Sequence, residues 1–69
     1  MSNRQRFTDG KVTAEEASKC RAKRDLINRY ASSTPGTQSR LDLRALIDSY
    51  DAQGIPTLSQ AEVDALAVA

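Results

Sequence analysis

Hydrophobic residues recur at helical spacing in several segments of the 69-residue chain. The clearest example runs from Leu43 through Leu46 and Ile47 to Tyr50, which is the i, i+3, i+4, i+7 spacing of one face of a helix. No segment alternates between apolar and polar residues over the length that a strand needs. The pattern therefore predicts an all-α fold.

We expect a small three-helix domain at residues 13–69, with helices at about 14–31, 40–53 and 60–68. Residues 1–12 are polar and basic, contain the turn signal Asp-Gly, and show no sustained periodicity. They are predicted to form an extended basic N-terminal arm.

Three residues with hydroxyl side chains mark the predicted helix starts. Thr13 with Glu16, and Ser59 with Glu62, have the spacing of capping boxes, in which the hydroxyl and the carboxylate each satisfy a free backbone amide. Ser39 is the expected cap of the middle helix. These signals divide the chain into helices more sharply than its apolar pattern does.

The end of the middle helix has its own signal. Gly54 suits the left-handed conformation that closes a helix, Ile55 is placed to contact Tyr50 as in a Schellman motif, and Pro56 blocks continuation. The stretch from Asp51 to Glu62 also superficially resembles a calcium-binding EF-hand loop. Its fifth position is Ile55 instead of an oxygen ligand, and its sixth is Pro56 instead of glycine. We therefore expect a helix end here and no metal site.

The chain has few bulky apolar side chains for a core. A protein of this length buries only about 60% of the surface that its unfolded form exposes. In the first helix, the stripe formed by Ala17, Cys20, Ile27 and Ala31 is thin and has Arg24 at its centre. The expected core consists of Leu26, Ile27, Leu41, Leu43, Leu46, Ile47, Ile55, Leu58, Val63 and Leu66.

Neither a disulfide nor a zinc site can compensate for the small core by stabilising the domain. Cys20 is the single cysteine, so no internal disulfide forms, and without histidine a structural zinc site is excluded as well. Small domains in this position are commonly stabilised by association with another chain.

The sequence offers little for catalysis. The chain contains no histidine, which is the usual general base, and Cys20 lies inside a helix instead of at a helix N-terminus, where a thiolate is favoured. A small buried hydrophobic role suits Cys20 better than a reactive thiol does. We expect no enzymatic activity, no cofactor and no metal.

The distribution of charge is uneven although the net charge is only +1. Residues 1–34 carry eight basic and four acidic side chains, whereas residues 35–69 carry two basic and five acidic ones, so the halves stand at +4 and −3. Such asymmetry favours packing between copies, or a basic end that faces an acidic partner.

A nucleic-acid-binding regulator is the alternative function. A basic arm and first helix are suited to contacting phosphates, and two helices joined by a loop suggest a helix-turn-helix. The loop is long for that motif, however, and the acidic second half would repel a nucleic acid backbone. The candidate contacts are Arg4, Arg6, Lys19, Arg21, Lys23 and Arg24.

The favoured function is a non-enzymatic structural or adaptor subunit that docks on neighbouring protein chains as a homo- or hetero-oligomer, for example in a virus particle. An inhibitor that caps a single enzyme is a third alternative. No segment approaches the roughly 20 apolar residues that span a bilayer, so no membrane association is expected, and the setting would be the cytoplasm or a particle assembled there. The expected protein contacts are Arg4, Arg6, Phe7, Arg24, Tyr30, Leu66 and Val68.

Overall fold

The computed structural model describes residues 3–9 and 12–66 and confirms the all-α class. The described part of the chain contains no β-strand. Its four helices are α1 (Asn3–Thr8), α2 (Ala14–Ser32), α3 (Gln38–Ala52) and α4 (Gln60–Asp64).

The short helix α1 corrects the expectation of an extended arm over residues 3–8. Phe7 on this helix is completely buried, and Val12, just beyond it, is almost completely buried. A helical turn satisfies the backbone groups locally while Phe7 enters the apolar interior, which an arm in solvent could not do. Positions 1, 2, 10 and 11 of the predicted arm lie outside the described residues.

Helix α2 begins with the predicted capping box. The Thr13 hydroxyl accepts a hydrogen bond from the Glu16 amide, and the Glu16 carboxylate accepts one from the Thr13 amide, both at 3.1 Å. Its buried residues are Ala17, Cys20 and Lys23. The predicted stripe is wrong at its C-terminal end, where Ala31 is exposed, because the core lies against the N-terminal half of α2.

Helix α3 begins two residues earlier than the sequence predicted. Its cap is Thr37 instead of Ser39, and the Thr37 hydroxyl accepts a hydrogen bond from the Arg40 amide at 3.3 Å. Gly36 has a φ of +82°, which completes the turn just ahead of this cap. The connection to α2 is therefore short, and α3 folds back antiparallel against α2.

The C-terminal end of α3 is the predicted Schellman motif. The Ile55 amide donates to the Tyr50 carbonyl at 3.1 Å and the Gly54 amide donates to the Asp51 carbonyl at 3.0 Å. Gly54 has a φ of +80°, in the left-handed region. The stretch that resembles an EF-hand loop is thus a helix end followed by the cap of α4.

Helix α4 confirms the second predicted capping box but is shorter than expected. Ser59 caps it, with the Glu62 amide donating to the Ser59 hydroxyl at 3.2 Å. The helix ends at Asp64 instead of residue 68. Just after this end, the Leu66 amide donates to the Val63 carbonyl in a tightened last turn. Residues 67–69 lie outside the described part.

The hydrophobic core lies at one end of the elongated α2–α3 hairpin. Helix α1 lies against the start of α2, where Arg6 pairs with Glu16. The segment after α3 and helix α4 lie against the middle of α2, through contacts with Lys23, Arg24 and Asn28. Tyr50 and Leu66 pack against this core. Its members are Phe7, Val12, Ala17, Cys20, Ile55, Leu58 and Val63.

The expected core was correct only for Ile55, Leu58 and Val63. Leu41 and Leu46 are instead exposed, with relative accessibilities of 63% and 51%. The remaining expected core residues are only partly buried. The reason is that most of α3 contacts only α2. Two helices alone do not enclose a core, and no third element of the described chain covers them along this part of α3.

Candidate protein-interaction surface

One face of the α2–α3 hairpin is apolar and incompletely covered. On α2 it contains Ala22 and Leu26, which are one turn apart; on α3 it contains Leu43, Leu46 and Tyr50, at i, i+3 and i+7. We call these five residues the open face. Helix α3 is described in full and has no buried residue, although it carries several bulky apolar side chains.

The open face points away from α4. The opposite side of α2 contacts α4 and the segment before it. There the Arg24 guanidinium donates to the Leu58 carbonyl at 2.9 Å, and the Asn28 side chain donates to that of Gln60 at 3.1 Å. Helical geometry places Ala22 about 160° around the axis from Arg24. The core and α4 thus cover one side of the hairpin and leave the other side to the open face, except at the end of α3, where Tyr50 also packs against the core.

Leu46 is the most exposed member of the open face, with a relative accessibility of 51%. Leu41 on the same helix is still more exposed, but it lies about 140° away around the axis, among polar residues. A single exposed leucine such as Leu41 is ordinary on a protein surface, whereas Leu46 lies beside partly exposed apolar side chains of both helices and forms a patch with them.

A buried lysine holds the two helices together. The Lys23 ammonium is almost completely buried, forms an ion pair with the Asp51 carboxylate and donates to the Ile55 carbonyl at 2.8 Å. It joins the middle of α2 to the end of α3. Lys23 was expected on a basic surface, and the structure shows it buried between α2 and the end of α3 instead.

Tyr30 and two arginines join the C-terminal end of α2 to the first turns of α3. The Arg40 guanidinium lies 4.0 Å from the centre of the Tyr30 ring and donates to the Tyr30 carbonyl at 3.0 Å. The hydrogen bond with the Tyr30 side chain raises the pKa of Arg44. These contacts fix α3 antiparallel to α2 and so determine which residues share the open face.

The sequence-predicted contacts near the N-terminus are engaged within the chain. The Arg6 guanidinium forms an ion pair with Glu16, and this pair, helped by the Thr13 amide, lowers the pKa of Glu16 to about 2. Phe7 belongs to the core, which corrects its expected role as an exposed contact. The side chain of Arg4 lies outside the described part.

The remaining predicted protein contacts do not lie on the open face. Arg24 is partly buried, and its Nε atom is buried without a hydrogen-bond partner among the described residues. Tyr30 lies under Arg40, and Leu66 packs against the core. Val68 lies outside the described residues. Sequence reasoning therefore missed the surface that the structure exposes.

The predicted nucleic-acid contacts do not form one open basic surface among the described residues. Lys23 is buried, and Lys19 pairs with Glu15 at 3.5 Å. Arg21 is exposed, but the groove of about 260 Å³ that it lines between α2 and α4 also contains the carboxylates of Asp25 and Asp64. Acidic groups so close would weaken phosphate binding.

Sequence reasoning missed the open face because it assigned Leu26, Leu43 and Leu46 to the core. One signal does distinguish the two roles. The third helix was predicted only over residues 60–68, which is already shorter than the fifteen-residue α3, and in the structure α4 has five residues. Apolar residues on α2 and α3 therefore exceed what the remaining chain covers in the described structure.

The comparisons with known proteins give no relative for this chain. It matches no protein-family model, and neither the search of curated proteins nor that of solved structures found a match. None of the described helices has the length and apolar character needed to cross a membrane. The described residues also contain no group of three or more acidic or cysteine side chains positioned to hold a metal ion.

Proposed function

We propose that this chain is a non-enzymatic structural or adaptor subunit, which docks its open face on a neighbouring protein chain in a larger assembly. A single observation supports the proposal. None of the apolar residues on this face of α3 is fully buried: Leu43, Ile47 and Tyr50 are only partly covered, and Leu46 beside them is exposed. An amphipathic helix normally buries that face against another element, and a partner chain would provide one.

The size of the open face indicates what kind of complex it supports. Two helices side by side over the length of α3 present a face of roughly 20 by 20 Å, or about 400 Å². At about 25 cal/mol per Å² of apolar area, its burial contributes at most ~10 kcal/mol, of the same order as the ~4–15 kcal/mol lost on association. The face alone supports a weak contact, which suits an assembly where several contacts act together.

The proposal includes a location in the cytoplasm, or in a virus particle assembled there. It is supported by the single cysteine, since small domains of oxidising compartments are usually cross-linked by several disulfides. A virus particle is one assembly in which small subunits are held by many weak contacts.

The native size of the complex tests this function. The tagged chain would be expressed in the cells from which it comes, and a lysate prepared without denaturant would be separated by size-exclusion chromatography. The wild-type chain is expected to elute in a complex many times larger than its own 7.5 kDa. Leu46→Glu places a charge in the open face and should release the free chain. Leu41→Glu makes the same change on the opposite side of α3 and should leave the complex intact.

Two results would contradict the proposed function. One is elution of the wild-type chain at its own mass or as a simple dimer. The other is a large complex that both leucine variants join equally well. Circular dichroism of the purified variants would confirm that each keeps the helical fold, so that a lost complex reflects the surface.

A further inference from the structure

We infer that the partner of the open face is a second copy of this chain, in a two-fold dimer where α2 of each copy lies across α3 of the other. The inference rests on the proposed docking role of the open face and names its occupant. The two hairpins would close a four-helix bundle with their ten open-face side chains inside.

The register of the hairpin makes the open face complementary to itself. Lys23 lies level with Asp51, and Tyr30 with the first turns of α3, so positions along the two antiparallel helices can be matched. By this register Leu26 lies at the height of Leu46. A two-fold axis parallel to the helices keeps these heights when it brings α2 of one copy over α3 of the other.

Side-chain sizes match in this arrangement. Leu46, which protrudes from one copy, meets Leu26 of the second copy at the same height. The larger Tyr50 lies at the height of Ala22, the smallest member of the open face. Large side chains opposite small ones allow two surfaces to interdigitate at the density of a protein interior.

The charges at the rim of the open face are also complementary. Arg29 on the outer edge of α2 lies level with Asp42 on the outer edge of α3, and both are exposed. Within the chain Arg29 forms an exposed ion pair with Asp25 at 3.1 Å, and Asp42 accepts a hydrogen bond from Gln38 at 3.0 Å, so each side chain would add a contact across the dimer to a weak surface one. Within one chain these edges lie on opposite sides of the hairpin. In the dimer, Arg29 of each copy comes beside Asp42 of the second copy, and Asp25 comes beside the Ser49 hydroxyl.

The positions of the rim charges select this arrangement over the alternative. A two-fold axis perpendicular to the helices would place α2 on α2 and α3 on α3, so that Arg29 of one copy would not lie beside Asp42 of the other. The parallel axis brings these two opposite charges together.

The expected affinity is modest. About 400 Å² from each copy gives roughly 800 Å² in total, which lies below the ~1,200–2,000 Å² of stable specific interfaces. The dimer should therefore form and dissociate reversibly, with a dissociation constant of the order of micromolar or weaker. The measurement must cover total concentrations from micromolar to millimolar.

Sedimentation equilibrium of the purified full chain tests the inference. The wild-type mass should rise with concentration from 7.5 kDa towards twice that value. Leu46→Glu should remain monomeric over the whole range, and Leu41→Glu should dimerise like the wild type. Circular dichroism of each variant controls for folding.

A charge exchange tests the register. Arg29→Asp and Asp42→Arg should each weaken the dimer about tenfold, because each places like charges together at two symmetric positions. An equimolar mixture of the two variants should recover the wild-type dissociation constant, since every such position in the heterodimer again joins opposite charges. The double variant should also recover it.

Failure of this inference is distinguishable from failure of the proposed function. If the pure chain stays monomeric at millimolar concentration while Leu46→Glu still releases it from its native complex, the open face binds a different protein and the dimer is wrong. Dimerisation without recovery in the mixed variants overturns the α2-on-α3 arrangement. A dimer that is also the native species supports this inference and contradicts the larger assembly.

Discussion

The buried ammonium of Lys23 and the carboxylate of Asp51 join the two long helices across 28 positions of sequence. Lys23 also donates to the Ile55 carbonyl, in the segment that leads from α3 to α4. The pair therefore positions the end of α3, the Schellman turn and the core segment together. Since α2 and α3 form the open face, the same ion pair maintains the proposed docking surface.

Removing the carboxylate of Asp51 should lower the free energy of unfolding more than removing the ammonium of Lys23 does. Asp51→Asn leaves a buried ammonium without its counter-charge and should destabilise the fold by about 1–3 kcal/mol, less than for a fully buried pair because the Asp51 side chain is half exposed. Lys23→Met removes the charge and keeps the volume, so we expect a loss of about 1 kcal/mol or less. Urea unfolding checks this order, and the reverse order would contradict the role given to Asp51.

Phe7 should behave as a core residue and not as a docking residue. Phe7→Ala removes a completely buried ring and should destabilise the chain by about 3–5 kcal/mol, which is enough to unfold a domain of this size. Thr8→Ala, at an exposed position of the same helix, should change stability by less than about 0.5 kcal/mol. Thermal unfolding compares them, and equal stability would show that α1 does not hold the core.

The Arg6–Glu16 pair should make stability depend on acid pH. The pKa of Glu16 is lowered from 4.5 to about 2 in the folded chain, so its contribution is fully present above about 4.5 and is lost as the pH falls towards 2. Glu16→Gln retains a capping side chain but cannot ionise. The difference in urea midpoint between wild type and variant should be largest above pH 5 and disappear near pH 2. A constant difference would contradict the pairing.

The Cys20 thiol should be protected in the folded protein. It is buried, and burial raises its pKa. At pH 8 a thiol reagent should modify the native chain far more slowly than the urea-unfolded chain. Cys20→Ser introduces a hydroxyl into the core and should destabilise it by about 1–3 kcal/mol, more than Cys20→Ala does. Equal labelling rates in both states would place the thiol at the surface.

The local signals in the sequence predicted the helix ends correctly where they involve neighbouring residues. The two capping boxes, Thr13 with Glu16 and Ser59 with Glu62, act over three positions, and the Schellman motif that ends at Ile55 acts over five. The structure contains all three motifs. The Ser39 cap was wrong because two hydroxyl residues, at 37 and 39, compete for the same role. The turn at Gly36 favours the earlier one.

The distribution of burial was not predictable in the same way, because it depends on contacts that are distant in sequence. Lys23 is buried only because Asp51 and Ile55 supply partners 28 and 32 residues away. Leu46 matches the pattern of a core residue but lacks a third helix to cover it. The apolar spacing shows which side of a helix is hydrophobic and does not show whether the chain itself provides the covering layer.

The most direct test of the docking role is the accessibility of position 46 inside the native complex. Leu46→Cys and Leu41→Cys, each combined with Cys20→Ala, would be labelled with a maleimide in the isolated complex and in the separated chain. We predict that position 46 reacts at least tenfold more slowly in the complex, whereas position 41 reacts equally in both. Equal reactivity of position 46 in the two samples would contradict the proposal that the open face is a docking surface.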